Sequence, residues 1–206
     1  MLEWAEANWA SNSAVQTIAF EYDVERQNLF TQRGYADAGA SDCVWLYDLT
    51  GTHPEPELPR GFRVASLGEL GDYAARITLE KAIWKADVLN EAWFRGKSSA
   101  PSYSLDWDLV IVSADGQQVA ACLVWIDSRN RAAEIDPLGV HPDFRRRGLA
   151  RALVLESFRR LCANGVRLVY IGSDVANEPA NCLYASLCPC ETYIAHRWIK
   201  HSGPGD

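Results

Sequence analysis

The sequence predicts an α/β fold in which strands and helices alternate, and three observations support this. Two apolar runs, 109–112 and 119–126, are joined through Asp115-Gly116, a dipeptide typical of a tight hairpin turn. A further strand, 132–140, runs through a proline and a basic, glycine-containing turn into an amphipathic helix. With 206 residues, 48% apolar and 23% charged, the chain has the composition of a folded protein. Its length exceeds one such domain by about 50 residues.

The first elements of the main domain are predicted from residue 61 onward. Residues 61–65 form a strand, and Ser66-Leu67-Gly68-Glu69 has the spacing of a capping box, in which two side chains satisfy free backbone N–H groups at a helix start. A helix follows, and a second short helix covers 88–94. The apolar positions at helical spacing in the first of these helices are Leu70, Ala74, Ile77 and Trp84.

The later elements begin with the strand 132–140, which contains Pro137. A proline cannot donate to the sheet ladder, so we expect a bulge or a local splay at this residue. A helix over 148–162, a strand over 168–171 and a last strand over 192–199 complete the domain. Between these last two strands Asn177 can cap a further helix, whose inner face would carry Ala180, Leu183, Tyr184 and Leu187.

The charge of the chain excludes some classes of partner. The formal net charge is −7, which argues against a nucleic acid or an anionic membrane. The run Arg145–Arg147 is a local exception and suggests a small anion. No apolar run approaches the length of a membrane span, and the start lacks the basic and apolar segments of an export signal. We therefore expect a cytoplasmic protein.

The six cysteines are scattered over helix-like, strand-like and loop-like segments, which is typical of reduced thiols rather than of a disulfide framework. Cys182, Cys188 and Cys190 do cluster. Their spacing lacks a paired C-x-x-C or H-x3-H, so we predict no metal site.

The segment from Val140 to Ala150 has the features of an anion site. A strand ends there in a turn, and the first backbone N–H groups of the following helix have no partner within that helix. The helix dipole adds partial positive charge at the same place. Gly148 has no Cβ to block a phosphate, and Ala150 is the next smallest residue.

The motif Arg145-x-x-Gly148-x-Ala150 resembles the R/Q-x-x-G-x-G/A signature of the GNAT acetyltransferase superfamily. The resemblance extends over 61 to about 196, and includes the element order, the lead-in 138–142 and Asn177-x6-Tyr184. It implies a mixed, mostly antiparallel central sheet with flanking helices, splayed at a cleft for acetyl-CoA.

The resemblance also implies which residues bind coenzyme A. Backbone N–H groups from Arg146 to Arg151 would hold the pyrophosphate, and Leu138 and Val140 would pair with the pantetheine arm. Asn177 would either contact the coenzyme or only cap its helix. The implied coenzyme-binding residues are Leu138, Gly139, Val140, Arg145, Arg146, Arg147, Gly148, Leu149, Ala150, Arg151, Asn177 and Tyr184.

For the chemistry, the resemblance places Tyr184 as the general acid for the departing thiolate. The same ring could equally be a core aromatic, and both roles can hold together. Glu134 is our candidate base, while Asp136 points to the same face of its strand and a water could relay the proton. The implied reaction is direct transfer of an acetyl group from acetyl-CoA to a primary amine of a small molecule or peptide, in a ternary complex.

The acceptor itself is not specified by the sequence. Asp106 and Asp108 could attract a cationic amine, although an exposed strand edge explains them as well. Other candidates for the cleft are four aromatic residues: Trp84, Trp93, Phe94 and Tyr103.

One departure from the family pattern follows Leu187, where Gly-Phe is replaced by Cys188-Pro189. A residue before proline is pushed toward extended geometry, so we expect a rearranged turn. This departure motivates an alternative function, a non-catalytic acyl-CoA-binding sensor or assembly module.

Residues 1–50 resemble the trailing half of a second GNAT-like domain, separated by a proline-rich linker, 51–60, from the acetyltransferase domain 61–206. Asp23-x6-Phe30 repeats Asn177-x6-Tyr184 at an offset of 154 residues, with Phe30 in place of the phenol. This half-domain lacks the coenzyme signature, and it is too small to be stable alone. We expect it to pack on the other domain, or to form a homodimer, for which the last strand is the other candidate surface.

Overall fold

The computed structural model describes residues 2–9 and 14–201, which fall into two compact units. The first unit takes the residues up to Trp45 together with those from Gly172 onward, and the second unit is Leu46–Ile171. The predicted boundaries at 50 and 60 rest on similarity to a repeated domain rather than on compactness, and they stay a prediction.

The first unit is built on an antiparallel pair of strands that are far apart in the sequence. β1 pairs with β8 along its whole length, from Val15 opposite Lys200 to Phe20 opposite Ala195. β2 and β7 have residues in both units. The elements with residues in the first unit are α1 (Leu2–Trp9), β1 (Val15–Phe20), α2 (Val24–Gln32), β2 (Ala36–Asp48), β7 (Leu168–Asp174), α7 (Glu178–Ala185) and β8 (Glu191–Lys200).

The two ends of the first unit have the same local structure. Each contains a strand, a capped helix and a strand, and the helices begin 154 residues apart, at Val24 and Glu178. The Asp23 carboxylate accepts the Arg26 N–H at 3.1 Å and the Asn177 side chain accepts the Ala180 N–H at 3.4 Å. The sequence similarity between these segments is therefore accompanied by the same capped-helix geometry.

The second unit contains a mixed sheet with strand order β3-β4-β5-β6-β7. Its pairs are antiparallel except β6 with β7, which are parallel. The predicted mixed, mostly antiparallel sheet is confirmed. The remaining elements of this unit are β3 (Arg63–Ser66), α3 (Leu67–Leu70), α4 (Tyr73–Trp84), α5 (Glu91–Ser98), β4 (Asp108–Val112), β5 (Gln118–Asp127), β6 (Ala132–Val140), a 3₁₀ turn (Pro142–Phe144) and α6 (Leu149–Ala163).

Helices cover both faces of this sheet. On one face Ala121 of β5 belongs to a buried cluster with Leu79 and Ile83 of α4. On the other face the Cys122 Sγ lies 3.3 Å from the Ser157 Oγ of α6. Because neighbouring residues of a strand point to opposite sides, α4 and α6 flank the sheet from opposite faces.

The structure corrects the predicted helix after residue 66. The capping box is present, with Glu69 N–H to Ser66 at 3.1 Å and Ser66 N–H to Glu69 at 3.0 Å. However, α3 ends after one turn at Gly71, whose φ is +66°, and a new helix, α4, starts after Asp72. The predicted inner face of this helix was wrong, because Trp84, which was assigned to it, is exposed. The buried residues of α4 are Arg76, Leu79, Glu80 and Ile83.

Candidate active site

β6 carries the bulge expected at Pro137. Its pairing with β5 passes from Cys122 opposite Leu138 to Val124 opposite Ile135, so two residues of β6 face one residue of β5. The parallel pairing of β6 with β7 reaches only as far as Glu134 opposite Tyr170. Beyond Glu134, β6 therefore has one paired edge and one open edge, which confirms the predicted splay.

The open edge of β6 presents the backbone of Leu138 and Val140. The His141 N–H donates to the Val119 carbonyl at 2.8 Å, so His141 directs its N–H toward β5. Backbone groups alternate along a strand, and those of Leu138 and Val140 therefore point away from β5. Gly139 is required for another reason: a Cβ there would lie 2.5 Å from the Ile83 Cγ2 of α4.

The turn after β6 leads into a helix start that lacks a side-chain cap. Arg146 has a φ of +63° and Gly148 a φ of +77°, so the chain turns sharply twice before α6 begins. Gly148 is the N-cap residue, and no side chain accepts a hydrogen bond from the first N–H groups of this helix. The first N–H groups of α6 thus point to a place where an anion can accept them. A Cβ on Gly148 would meet no protein atom, so the space belongs to solvent or a ligand.

Two of the three arginines help to hold the turn. The Arg145 Nε donates to the Val140 carbonyl at 3.2 Å, and the Arg147 Nη2 donates to the Asp143 carbonyl at 3.2 Å. The Arg147 guanidinium also lies 5.1 Å from the centre of the Phe144 ring. Each guanidinium has five N–H donors, so both retain donors for an anion.

The proline-rich segment lies beside this turn. It forms one wall of a cavity of about 500 Å³, and the first turns of α6 form the other wall. The segment is therefore more than a spacer. The lining residues are Pro54, Glu55, Glu57, Leu58, Pro59, Arg147, Gly148, Arg151, Ala152 and Leu155.

The two candidate bases stand next to the bulge. Glu134 faces Trp125 across the β5–β6 pair, and the Trp125 indole N–H donates to the Asp136 carbonyl at 2.7 Å. Desolvation raises the pKa of Glu134, and the nearby Asp136 carboxylate raises it further. Desolvation also raises the pKa of Asp136. The pKa values of both carboxyls are thus closer to neutral pH than those of ordinary carboxyls, as the pKa of a general base needs to be.

Asp108, which could have been an exposed strand-edge residue, is fully buried. Its carboxylate Oδ1 lies 2.8 Å from the Arg76 Nε, and Arg76 Nη1 lies 2.7 Å from the Glu80 Oε1. Lys97 completes this ion cluster, with its Nζ 3.5 Å from Glu80 and 3.6 Å from Asp108. Burial opposes the charge of Arg76, but the two carboxylates outweigh it and raise the pKa of Arg76.

The ion cluster also fixes the aromatic side chains beside it. The Tyr103 hydroxyl donates to the Asp108 Oδ2 at 2.9 Å. Burial first, and then the Asp108 charge, raise the pKa of Tyr103 far above its usual value, so this phenol stays protonated. The Lys97 Nζ lies over the rings of Trp93, Phe94 and Tyr103, at 5.0, 4.9 and 5.8 Å from their centres.

Tyr184 and Asn177 belong to the first unit. Tyr184 is the one buried residue of α7, at 5% exposure, as expected for the inner face of that helix. Asn177 caps α7, which fits one of the two roles considered for it. The other implied site residues, from Glu134 to Arg151, all lie in the second unit.

The turn after α7 does not have the extended geometry expected before Pro189. Cys188 has a φ of +57°, the left-handed conformation that the glycine of the family pattern adopts readily. The expectation from the X-Pro rule was wrong because the end of the helix imposes this conformation: the Leu187 N–H donates to the Tyr184 carbonyl at 3.1 Å and the Cys188 N–H to the Ala185 carbonyl at 3.3 Å.

Replacing Cys188 by glycine is expected to stabilise the first unit by about 1 kcal/mol, because glycine adopts a positive φ without strain. Thermal unfolding of Cys188→Gly would measure this gain. The matched control is Ser186→Gly, since Ser186 has a φ of −69° and a glycine there relieves no strain. This substitution adds freedom to the unfolded chain and removes the hydrogen bond of the Ser186 hydroxyl to the Leu183 carbonyl, so it should destabilise. Equal destabilisation by both substitutions would contradict the expectation.

The described residues contain neither a metal-binding cluster of side chains nor a membrane-spanning helix. Within residues 2–9 and 14–201, no group of three or more His, Cys, Asp or Glu side chains is placed to hold a metal ion. Over the same residues, no helix has the length and apolar character needed to cross a membrane. All six cysteines are free thiols.

The model of the acetyltransferase (GNAT) family matches residues 82–188, more than half of the chain, and this range includes β6, the turn and α7. The chain belongs to the GNAT acetyltransferase family. The GNAT resemblance seen in the sequence is therefore confirmed, and membership of this family implies acetyl transfer that depends on an acyl-CoA. A comparison with curated proteins finds no match.

Solved GNAT structures share the fold of this chain. A GCN5-related N-acetyltransferase from Sphaerobacter thermophilus has a TM-score of 0.75 at 24% identity, over 98% of this chain and 66% of that one. A tandem GNAT protein from the clavulanic acid biosynthesis pathway has a TM-score of 0.77 at 17% identity, over 98% and 70%. A GCN5-related N-acetyltransferase from Kribbella flavida has a TM-score of 0.66 at 16% identity, over 98% and 76%. The chain thus spans roughly two thirds to three quarters of the length of these proteins.

Proposed function

We propose that this GNAT protein is an acetyl-CoA-dependent N-acetyltransferase that acts on a primary amine of a small molecule or peptide by direct attack in a ternary complex. The observation that carries the proposal is the continuity of the open edge of β6 with the uncapped start of α6. One strand edge and one helix start thus offer backbone partners for an amide-containing arm and for a pyrophosphate.

The residues of the second unit fit the coenzyme. Leu138 and Val140 would form backbone hydrogen bonds with the pantetheine arm, and the N–H groups at Gly148 and in the first turn of α6 would receive the pyrophosphate. When bound, acetyl-CoA supplies an acetyl group activated as a thioester. The backbone N–H of Val140 would then stabilise the oxyanion that develops on the acetyl carbonyl.

The proton transfers are assigned to two side chains. Glu134 would accept the proton of the attacking amine, directly or through a water, and its raised pKa suits that role. Tyr184 would donate a proton to the thiolate sulfur that leaves when the carbon–sulfur bond breaks. An amine resembling free lysine has a pKa near 10.4, so its neutral minority is the form that reacts.

The coenzyme site is tested by placing a negative charge in the turn. Gly148→Asp should raise the Kd for acetyl-CoA about 100-fold, because its carboxylate faces the bound pyrophosphate. Gly116→Asp is the matched control, since Gly116 also has a positive φ, +87°, with no protein atom near its Cβ position, but lies in the β4–β5 hairpin. Titration calorimetry measures both variants, and equal affinity in the two would contradict the site.

Activity is tested by release of the coenzyme A thiol over a panel of amines. Release that depends on the amine, with formation of the acetylated amine, supports the proposal. Tight binding of acetyl-CoA without turnover of any amine would contradict the enzyme and would indicate a sensor or assembly module instead.

The assignment of the base predicts a pH dependence. A base must be unprotonated to act, so a carboxyl with a raised pKa places the acid limb of kcat/KM above its ordinary value of about 4.3. The fraction of enzyme with an ionised base should be full above that limb and should be lost as the pH falls through it, in addition to the smaller fraction of neutral amine at low pH. Glu134→Gln should lower kcat about 100-fold and abolish the limb. A limb that survives in Glu134→Gln but disappears in Asp136→Asn would assign the base to Asp136.

A further inference from the structure

A cavity of the second unit lies between α4, α5 and the loop before β4, away from the turn that would hold the coenzyme. Its volume is about 730 Å³, within the range of small-molecule sites. Three of its lining residues are polar or charged: Glu91, Arg95 and Ser98. Six apolar or aromatic residues make up the rest of the wall: Tyr73, Ala74, Ile77, Phe94, Tyr103 and Leu105.

The inner wall of the cavity is held in place by the ion cluster. Tyr103 is fixed by its hydrogen bond to Asp108, and Phe94 lies under the Lys97 ammonium at 4.9 Å. Both anchoring charges are almost completely buried, Asp108 at 0% and the Lys97 side chain at 9% exposure. The wall is thus rigid in the absence of a ligand, which lowers the entropic cost of binding one.

Two aromatic rings, those of Tyr103 and Trp125, connect the cavity with the candidate bases. The Tyr103 ring, which lines the cavity, packs edge-on against Trp125 with 6.2 Å between centres. Trp125 in turn faces Glu134 across the sheet and donates to the Asp136 carbonyl. Asp108, Trp125 and Glu134 all lie on the α4 face, because alternation along β5 puts Trp125 on the same side as Ala121.

The charged and polar groups at the cavity argue against a polycation or a sugar as its ligand. Glu91 and Arg95 lie at its exposed rim and pair with each other at 3.3 Å, so their charges cancel. The Tyr103 hydroxyl is committed to Asp108, which leaves few polar groups to bind several hydroxyls or several ammonium groups. An apolar body is what this wall can bind.

We infer that the acceptor is an amine with an apolar, aromatic or aliphatic body, which binds between α4 and α5 and directs its amino group past Tyr103 and Trp125 toward Glu134. This inference rests on the proposed N-acetyltransferase function. It adds a class of acceptor and assigns Tyr103 and Trp125 as the residues that select it.

The test measures binding separately from turnover. 2-Phenylethylamine should bind this chain in calorimetry with coenzyme A present, and Ala74→Trp should weaken this binding about tenfold or more, because the indole occupies part of the cavity. Ala74 is exposed on α4, so the fold tolerates the change. The matched control is Lys81→Trp, an exposed position of the same helix that does not line the cavity.

A second arm compares kcat/KM for 2-phenylethylamine and hexylamine with that for spermidine and glucosamine. Higher values for the first pair, lowered by Ala74→Trp with the KM for acetyl-CoA unchanged, support the inference. It would be overturned if spermidine or glucosamine were the better acceptor, if 2-phenylethylamine did not bind, or if Ala74→Trp and Lys81→Trp behaved alike. A further outcome is that 2-phenylethylamine binds, that Ala74→Trp weakens this binding, and that no amine is acetylated. The proposed function would then be wrong, but the cavity would still be a ligand-binding site.

Discussion

Replacing Tyr184 by phenylalanine is expected to lower kcat about 100-fold while the Kd for acetyl-CoA stays unchanged. Only the hydroxyl is removed, so the buried ring that packs the inner face of α7 is kept. The expected loss is in the chemical step, because the departing thiolate no longer has its proton donor. Stopped-flow turnover together with calorimetry separates the two quantities.

The matched control is Tyr35→Phe. Tyr35 is buried to nearly the same extent, 4% against 5% exposure, and it also belongs to the first unit. It has no assigned role in the reaction, so its loss should leave kcat unchanged. The chain also offers an internal comparison, since Phe30 occupies the position on α2 that corresponds to Tyr184 on α7. Equal kcat values for the wild type and Tyr184→Phe would remove Tyr184 from the mechanism.

Removing the guanidinium of the buried ion cluster is expected to have the largest effect on stability. Arg76→Met keeps the volume of the side chain but leaves the Glu80 and Asp108 carboxylates with only Lys97 as a counter-charge. Breaking a buried pair in this way costs about 3–5 kcal/mol, because a charge is left uncompensated in the interior. Urea unfolding should show this as a lower free energy of unfolding.

Two further variants identify the cause. Arg95→Met breaks the exposed pair with Glu91, whose side chains are 76% and 79% exposed, and should change the free energy of unfolding little. Arg76→Met combined with Glu80→Gln removes the excess negative charge and should recover part of the loss. A single Arg76→Met that unfolds at the wild-type urea concentration would show that the cluster does not stabilise the fold.

The ion cluster also explains why the inner face of α4 was predicted wrongly from the sequence. Its buried residues follow the helical spacing expected of an inner face, at 76, 79, 80 and 83, but two of the four are charged. The spacing of apolar residues alone favours the alternative face through Ala74 and Ile77, and these two residues line the cavity instead. Asp108 of β4 completes the pairing of Arg76, and Lys97 of α5 pairs with the same two carboxylates. The proximity of Asp108 and Lys97 to this helix depends on the tertiary fold.

Local signals predicted β6 and the turn after it more accurately. Pro137 lacks an N–H, and a glycine beside arginines marks a turn of positive φ, so each feature is specified within a few residues of sequence. The same reasoning failed at Cys188, where the helix end and not the following proline sets the backbone. The helix α1 and the strand β1 were not predicted.

The pairing of β1 with β8 has a consequence for how the chain folds during synthesis. Val15 of β1 cannot form its strand pair until Lys200 of β8 has been synthesised. The second unit, in contrast, is one continuous stretch of sequence, Leu46–Ile171. On the ribosome the second unit can therefore fold first, and β1 stays without its strand partner until β8 has been made. The exposed edge of β1 is a risk for aggregation during that interval. Chaperone dependence of this chain should accordingly arise from its first 45 residues.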